Sequence, residues 1–407
     1  MNLLMFEYMS GGGYADQKLS ASILSEGYGM LRSLISDCKA AGHNVTTLLD
    51  SRLTEFNPPN EADQTVSVSS PHELSVKLAE LSGVADAVYV IAPESGQVLE
   101  KLVEDTETSG CTSLNCEADA IRQVSNKMTA YETMKKRGLK VPETVLVDIN
   151  EKTENIKRLT EELGHPLVFK PLDGVSCGGL SIVKDAEDIA GAVKKIVRES
   201  MSTQFIAQEV VRGEAVSACV ISTGDKAVAV TLNRQSVKLA SPYEESGYCG
   251  GAVPFEHSLE REALKSAERA AEGIGGLKGY VGVDMILTED EAVVLEVNPR
   301  LTTSYVGLRR VTNFNPAEAI VDAVIGRKLP KNVQSRGYSF FSKVEAPPRP
   351  QIITETYKLE DVISPPFPIE GNKSAYALIA TVSTSQKGAE SAFYRTKRRL
   401  QNLYHGD

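Results

Sequence analysis

The chain has 407 residues, more than one ordinary domain holds, and predicts two to three compact units. Its 42% hydrophobic and 24% charged residues are the balance of a globular protein and exclude a disordered one. With 44 basic against 54 acidic residues, the formal charge of -10 excludes global attraction to nucleic acid or an acidic membrane, so an anionic ligand must be held by local donors.

In chain order, apolar runs at 3–8, 45–49 and 88–91 alternate with longer amphipathic stretches at 20–41, 71–81 and 97–103. Strands alternating with helical patterns predict crossover units and a mostly parallel, doubly wound sheet. A long helix over 118–136, closed by Gly138, opens a second, α+β unit with a strand near 144–147, a helix near 153–163 and two short strands around 174–179. After a helix over 185–198, strands at 205–211, 215–222, 227–232, 280–287 and 292–297 follow with a long loop and one helix between, which predicts an antiparallel sheet. From about Asn332 come a proline-rich stretch, a strand at 375–382 and a basic terminal helix.

The longest uninterrupted apolar run, Ala87 to Ala92, is far too short for a membrane span, and the opening nonapeptide lacks a basic leader region. The six cysteines show no CxxC pair and do not cluster in sequence with the histidines, which predicts free thiols, no structural zinc and a cytoplasmic location.

The most informative stretch is Val293 to Ser304, VVLEVNPRLTTS, with Gly282-Val283-Asp284 upstream. In a β-hairpin, Asp284 and Glu296 can lie side by side on one face, and Asn298 follows Glu296 at the strand spacing of two. Three oxygen ligands with no His or Cys suit a hard cation such as Mg²⁺, completed by phosphate oxygens. Arg300 would add a planar donor for a phosphoryl oxygen. Any one of these residues alone reads better as a solvated strand residue or its ordinary ion-pair partner.

A second constellation is Phe169-Lys170-Pro171 at a strand end, followed by Asp173-Gly174-Val175-Ser176-Cys177-Gly178-Gly179. An ammonium and backbone N–H groups brought close by glycine hold phosphates, and no Walker A or GxGxxG pattern offers another cradle. A third is Gln208-Glu209-Val210-Val211-Arg212-Gly213-Glu214, read either as a purine slot with a ribose contact or as a plain strand–turn–strand. Lys127 reads by itself as a lone, solvated helix residue.

Taken in order, Lys127, Lys170 with its Gly-rich loop, 209–214, and Asp284, Glu296 and Asn298 resemble the ATP-grasp superfamily. The resemblance spans roughly residues 3–326. It implies an ATP-grasp fold, α/β and α+β, with a Rossmann-like pre-ATP-grasp domain over 1–115. The small subdomain and its flap would take 116–200, the large subdomain with its metal site 201–330, and a short α+β extension 331–407. Carried over by position, Lys127 and Lys170 would contact the ATP phosphates, with Gly174, Ser176, Gly178 and Gly179 closing over them. Gln208, Glu209, Val210 and Val211 would hold adenine and Glu214 the ribose. Asp284, Glu296 and Asn298 would bind Mg²⁺ (or Mn²⁺), and Arg300, with Lys170, would assist phosphoryl transfer. The implied reaction is acyl-phosphate formation followed by attack of an amine, without a nucleophilic side chain.

More narrowly, Phe6 to Gly13, Ile91-Ala92-Pro93-Glu94 and Asn298 to Ser304 look like the tyramine:L-glutamate ligases of methanofuran and methylofuran biosynthesis, although Gly11 to Gly13 also reads as a flexible loop. The metal-site motifs are shared by ligases for other amino-acid or dipeptide pairs, and a non-catalytic nucleotide-binding module is a further alternative. Small-molecule substrates would meet Arg234, Tyr248, Gly250 and Gly251, with Arg234 either pairing with an α-carboxylate or forming a surface ion pair with Glu244 or Glu245. Neither nucleic acid nor membrane is expected as a partner; a homodimer is left open.

Overall fold

The computed structural model describes residues 1–174 and 177–405. The N-terminal unit is a five-stranded parallel sheet with spatial order Gln64–Val68, Asn44–Asp50, Asn2–Glu7, Ala87–Ile91, Thr112–Ser113. Its two central strands are apolar at every position from Leu3 to Phe6 and from Ala87 to Ile91 because both faces are covered. Leu3, Met5, Ala87 and Tyr89 pack into one core, and Leu4, Phe6, Val88 and Val90 into another. The strand order reverses between Asn2–Glu7 and Ala87–Ile91, so the crevice beyond their C-terminal ends, near Tyr8 and Glu94, is where such a sheet receives ligands.

The helix expected over 118–136 is two helices, Ala118–Ser125 and Lys127–Lys136. Asn126 leaves helical geometry at φ -85°, ψ 105°, and its side chain accepts hydrogen bonds from the N–H groups of Met128 and Thr129. This N-cap starts a new helix at Lys127 and turns that lysine into the site.

A four-stranded antiparallel sheet, ordered Thr144–Asp148, Gln204–Glu209, Leu167–Pro171, Ser181–Val183, follows. Leu167 and Phe169 bury against helix Ile189–Glu199 together with Phe205, and by strand alternation Lys170 faces away from that core.

The remainder is one eight-stranded antiparallel sheet: Ala292–Asn298, Leu277–Leu287, Glu214–Gly224, Ala227–Lys238, Gly247–Val253, Tyr338–Ala346, Ala375–Ser383, Val362–Ser364. Helix Glu260–Glu272 covers one face through Ala263, Ala267, Ala270 and Ala271, small residues that let it lie close. Two differences from expectation stand out. The stretch Gly247–Val253, read as loop, is a central strand, and the segment after 331 extends this same sheet, with helix Gln386–His405 packed upon it.

Gly250 and Gly251 explain the first difference. A Cβ on Gly250 would lie 2.1 Å from the Phe341 carbonyl oxygen, and one on Gly251 2.2 Å from that of Arg234. The glycines serve strand packing, which hides the strand from propensity.

Candidate active site

Asp284 pairs directly with Glu296, and Gly282 with Asn298, on the hairpin Leu277–Leu287/Ala292–Asn298. This register puts the three oxygen-bearing side chains on one face. Asn298 Nδ2 donates to Asp284 Oδ2 at 3.1 Å, and Gln235 Nε2, two strands away, donates to Oδ1 at 2.9 Å. Lys127 Nζ lies 2.8 Å from Glu296 Oε1 and 2.9 Å from the Gly174 carbonyl oxygen, so it ties the Asp284/Glu296 hairpin to the flap.

The electrostatics follow from crowding charge in a sheltered place. Burial first, then the neighbouring Glu296 carboxylate, pushes Asp284 up to about 6. Burial would raise Glu296 as well, but Lys127 and Lys170 hold it below the usual carboxylate value. Lys170, only 7% exposed, is pushed down to about 8 by burial and by Lys127, with Glu296 opposing. Two carboxylates and a carboxamide beside two ammonium groups fit a divalent cation brought with nucleotide phosphates. Among the described residues no three His, Cys, Asp or Glu side chains cluster to hold an ion alone.

Arg300 Nε stands 2.9 Å from Glu94 Oε1, at the end of the parallel-sheet strand Ala87–Ile91. Burial works against its charge, but Glu94 keeps it firmly protonated, and Glu296 and Asp284 add to this. Cys177, at the turn of the flap, is pushed up to about 11 by burial and then by Glu296 and Asp284. Gly174, Gly178 and Gly179 belong to this turn; Ser176, expected with them, lies outside the described residues.

At the hinge, Glu209 Oε1 accepts from the Glu143 N–H at 3.0 Å, and Gln208 is buried, donating to Thr144 Oγ1 at 2.8 Å. Val210 and Val211 follow the strand end half-buried, and Glu214 is exposed at the start of the next strand.

For the expected substrate residues the structure divides. Tyr248 is on the site side: burial raises its pKa, and the carboxylates of Glu26 and Asp284 add to the shift. Arg234 is not. Its neighbour Gln235 reaches Asp284, so by alternation Arg234 projects from the opposite face, where it is exposed. The glutamates considered as its partners are engaged elsewhere, Glu244 with Lys238 at 3.0 Å and Glu245 with Arg198 at 3.2 Å. Gly250 and Gly251 are occupied by strand packing, as above.

Sequence reasoning missed Gln235 as the donor to Asp284 and Glu94 as the partner of Arg300. Strand alternation from Asn233 was the available signal for Gln235; for Glu94 it was the Ile91-Ala92-Pro93-Glu94 stretch, which singled out the residue without pointing to Arg300 as its partner.

Residues 124–304 match the ATP-grasp domain family and residues 43–121 the pre ATP-grasp 3 domain family. The tyramine–L-glutamate ligase of Methanocaldococcus fervens is 29% identical over 339 residues, covering 83% of this chain and 99% of that protein. The ligase of the same name from Methanocaldococcus jannaschii is 28% identical over 339 residues, covering 83% and 94%. Biotin carboxylase from Campylobacter jejuni, solved as a beta-gamma-ATP complex, shares the fold at a TM-score of 0.69 and 15% identity, over 96% of this chain and 89% of that one. These matches and the site's geometry agree on an ATP-grasp fold, a pre-ATP-grasp domain leading into an ATP-grasp domain.

Proposed function

We propose that the protein is an ATP-dependent carboxylate–amine ligase whose substrates are the γ-carboxylate of L-glutamate and the amine of tyramine. The observation that carries the reading is the convergence of Asp284, Glu296 and Asn298 with Lys127, Lys170 and Arg300 at the switch-point crevice. The similarity to two tyramine–L-glutamate ligases along nearly their whole length supports the substrate pair.

In this reading Lys127 and Lys170 hold the phosphates under the flap, Val210 and Val211 offer backbone groups to adenine, Glu209 stays beside them, and Glu214 takes the ribose. Asp284, Glu296 and Asn298 would hold Mg²⁺ or Mn²⁺, which neutralises phosphate charge when bound. A γ-carboxylate oxygen attacks the γ-phosphorus and the bond to the β-phosphate oxygen breaks, releasing ADP. Arg300 and Lys170 balance the negative charge on the transferring group. The unprotonated amine nitrogen then attacks the acyl carbon, phosphate leaves with the C–O bond pair, and the nitrogen loses a proton to form the amide. Positioning and charge neutralisation supply most of the rate, and the reaction calls on no side chain as nucleophile.

The test is mass spectrometry of products from purified protein with ATP, Mg²⁺, L-glutamate and tyramine, omitting each in turn while ADP is followed. γ-Glutamyl-tyramine appearing only in the complete mixture is the expected result. ADP release with other carboxylates or amines alone would reject this substrate pair.

A further inference from the structure

Beyond the site described above, a buried cluster joins the first domain to the last strands of the chain. Glu26 on helix Ala21–Ala40 is 8% exposed and forms an ion pair with Lys343 on strand Tyr338–Ala346, 317 residues away in sequence. Thr303 Oγ1 donates to Glu26 Oε2 at 2.7 Å, and Lys343 Nζ donates to Ser22 Oγ at 2.9 Å. Thr303 lies in the loop that follows the metal strand, three residues past Arg300, so the cluster is anchored directly to the phosphoryl-transfer end. The family matches, residues 43–121 and 124–304, include neither Glu26 nor Lys343.

We infer that Glu26 and Lys343 form the cradle for the backbone zwitterion of the amino-acid substrate, Glu26 receiving its α-ammonium and Lys343 its α-carboxylate. The inference rests on the ligase reading above and names the residues that would select the carboxyl donor.

Three observations support it. A nearly buried ion pair is a poor stabilising device, because desolvating both charges offsets most of their attraction. A zwitterion inserted between them replaces one ion pair by two, each charge-assisted. Each charge also keeps a neutral partner, Thr303 for Glu26 and Ser22 for Lys343, so the cradle stays oriented while its charges turn to the ligand.

The pair also stands on the site side of the molecule. Glu26 contributes to raising both Cys177 at the flap and Tyr248 on the adjacent strand, and Lys343 opposes the shift of Cys177. The side-chain carboxylate of an amino acid seated there is directed to the crevice shared by Tyr248, Arg300 and Asp284.

The test compares ADP release by wild type, Glu26→Gln and Lys343→Met with three carboxyl donors: L-glutamate, glutarate, which lacks the α-ammonium, and 4-aminobutanoate, which lacks the α-carboxylate. Wild type should prefer L-glutamate over either analogue by about tenfold to a hundredfold in kcat/KM, the worth of one charge-assisted hydrogen bond. In Glu26→Gln the preference over glutarate should collapse while that over 4-aminobutanoate persists, and Lys343→Met should do the reverse. KM for ATP should stay near wild type in both. The doubly exchanged E26K/K343E protein restores the ion pair in the opposite sense and guards against simple misfolding. A purely structural pair predicts recovery of wild-type kinetics there, whereas the inference expects KM for L-glutamate to remain raised.

Equal rate losses with all three donors, or recovery in the exchanged protein, overturn the inference. So does a wild type that uses glutarate as well as L-glutamate, an outcome that leaves the ligase reading intact. If wild type instead releases ADP with a different α-amino acid, glutamate falls from that reading, and the same comparison with that amino acid and its des-amino analogue decides on the pair. If no α-amino acid supports ADP release, both fall.

Discussion

Arg300 Nε and Glu94 Oε1 stand 2.9 Å apart, so the loop behind the Asp284/Glu296 hairpin is held by the end of a parallel strand in the other domain. Their side chains are 16% and 9% exposed. Removing the acid leaves a sheltered guanidinium without its partner and free to leave the crevice, and a misplacement of about 1 Å at such a group is worth up to roughly a hundredfold in rate. Glu94→Gln should therefore lower kcat by about tenfold to a hundredfold. KM for ATP should barely move, because Lys127 and Lys170 are untouched. Steady-state ADP release at saturating substrates measures both; an unchanged kcat would mean that the interdomain pair has no part in the reaction.

Lys170 supplies a pH signature. Burial and Lys127 push its ammonium down to about 8, against an ordinary value of 10.5. Between those two values the unfolded chain binds more protons at this position than the folded one, so the free protein gains stability from this lysine as pH rises from about 8 to 10.5. Nucleotide phosphates favour the charged form and raise the value again, so ATP binding at about pH 8.5 should take up a proton. Titration calorimetry in buffers of different ionisation enthalpy should show that uptake in wild type and lose most of it in Lys170→Met. The same uptake in both proteins would assign the proton to another group.

The readable parts of the sequence were those where one local rule dictated the answer. Unbroken apolar strands at Leu3 to Phe6 and Ala87 to Ile91 announced a parallel sheet, and the spacing of two between Glu296 and Asn298 announced a shared face with Asp284. The illegible parts depend on partners far away in the chain. Gly247–Val253 is a strand because Phe341 and Arg234 carbonyls crowd its glycines, and Phe341 belongs to a segment whose place in the sheet no local pattern betrays. Ion pairs between domains, Glu94 with Arg300 and Glu26 with Lys343, leave no periodic trace at all. The break at Asn126 was visible in principle, since Asn is a preferred N-cap, but the helical pattern on both sides concealed it.

Lys195 controls how firmly the flap is held. It is 2% exposed, and its Nζ donates to the carbonyl oxygens of Leu180 at 3.1 Å and Glu244 at 2.6 Å. Ser246 Oγ donates to the same Leu180 oxygen at 2.9 Å, and the Ile182 N–H bonds the Ala240 oxygen at 2.9 Å. The loop after strand Ala227–Lys238 is thus fastened to the strand leaving the flap. Lys195→Met keeps the apolar stem but strips both carbonyls of a charged donor, at a cost of about 1–3 kcal/mol. Hydrogen exchange at Leu180 and Ile182 should accelerate, and KM for ATP should rise several-fold. Exchange as slow as in wild type would show that the two backbone and hydroxyl bonds suffice without the lysine.

The two faces of strand Ala227–Lys238 make opposite predictions for adjacent residues. Gln235 Nε2 holds Asp284 Oδ1 at 2.9 Å, whereas Arg234 projects from the far side of the sheet. An outer partner that orients a metal-binding carboxylate is commonly worth about tenfold to a hundredfold in metal affinity. Gln235→Ala should accordingly raise the Mg²⁺ concentration needed for half-maximal ADP release by about tenfold. It also removes a donor that lowers the Asp284 pKa, so the loss should deepen as pH falls towards 6. Arg234→Ala should leave KM for the amino acid and for ATP unchanged, with the Mg²⁺ requirement as in wild type. A selective rise in the amino-acid KM of Arg234→Ala would mean that the substrate reaches around the strand to the opposite face, and it would reopen the assignment of its carboxylate to Lys343.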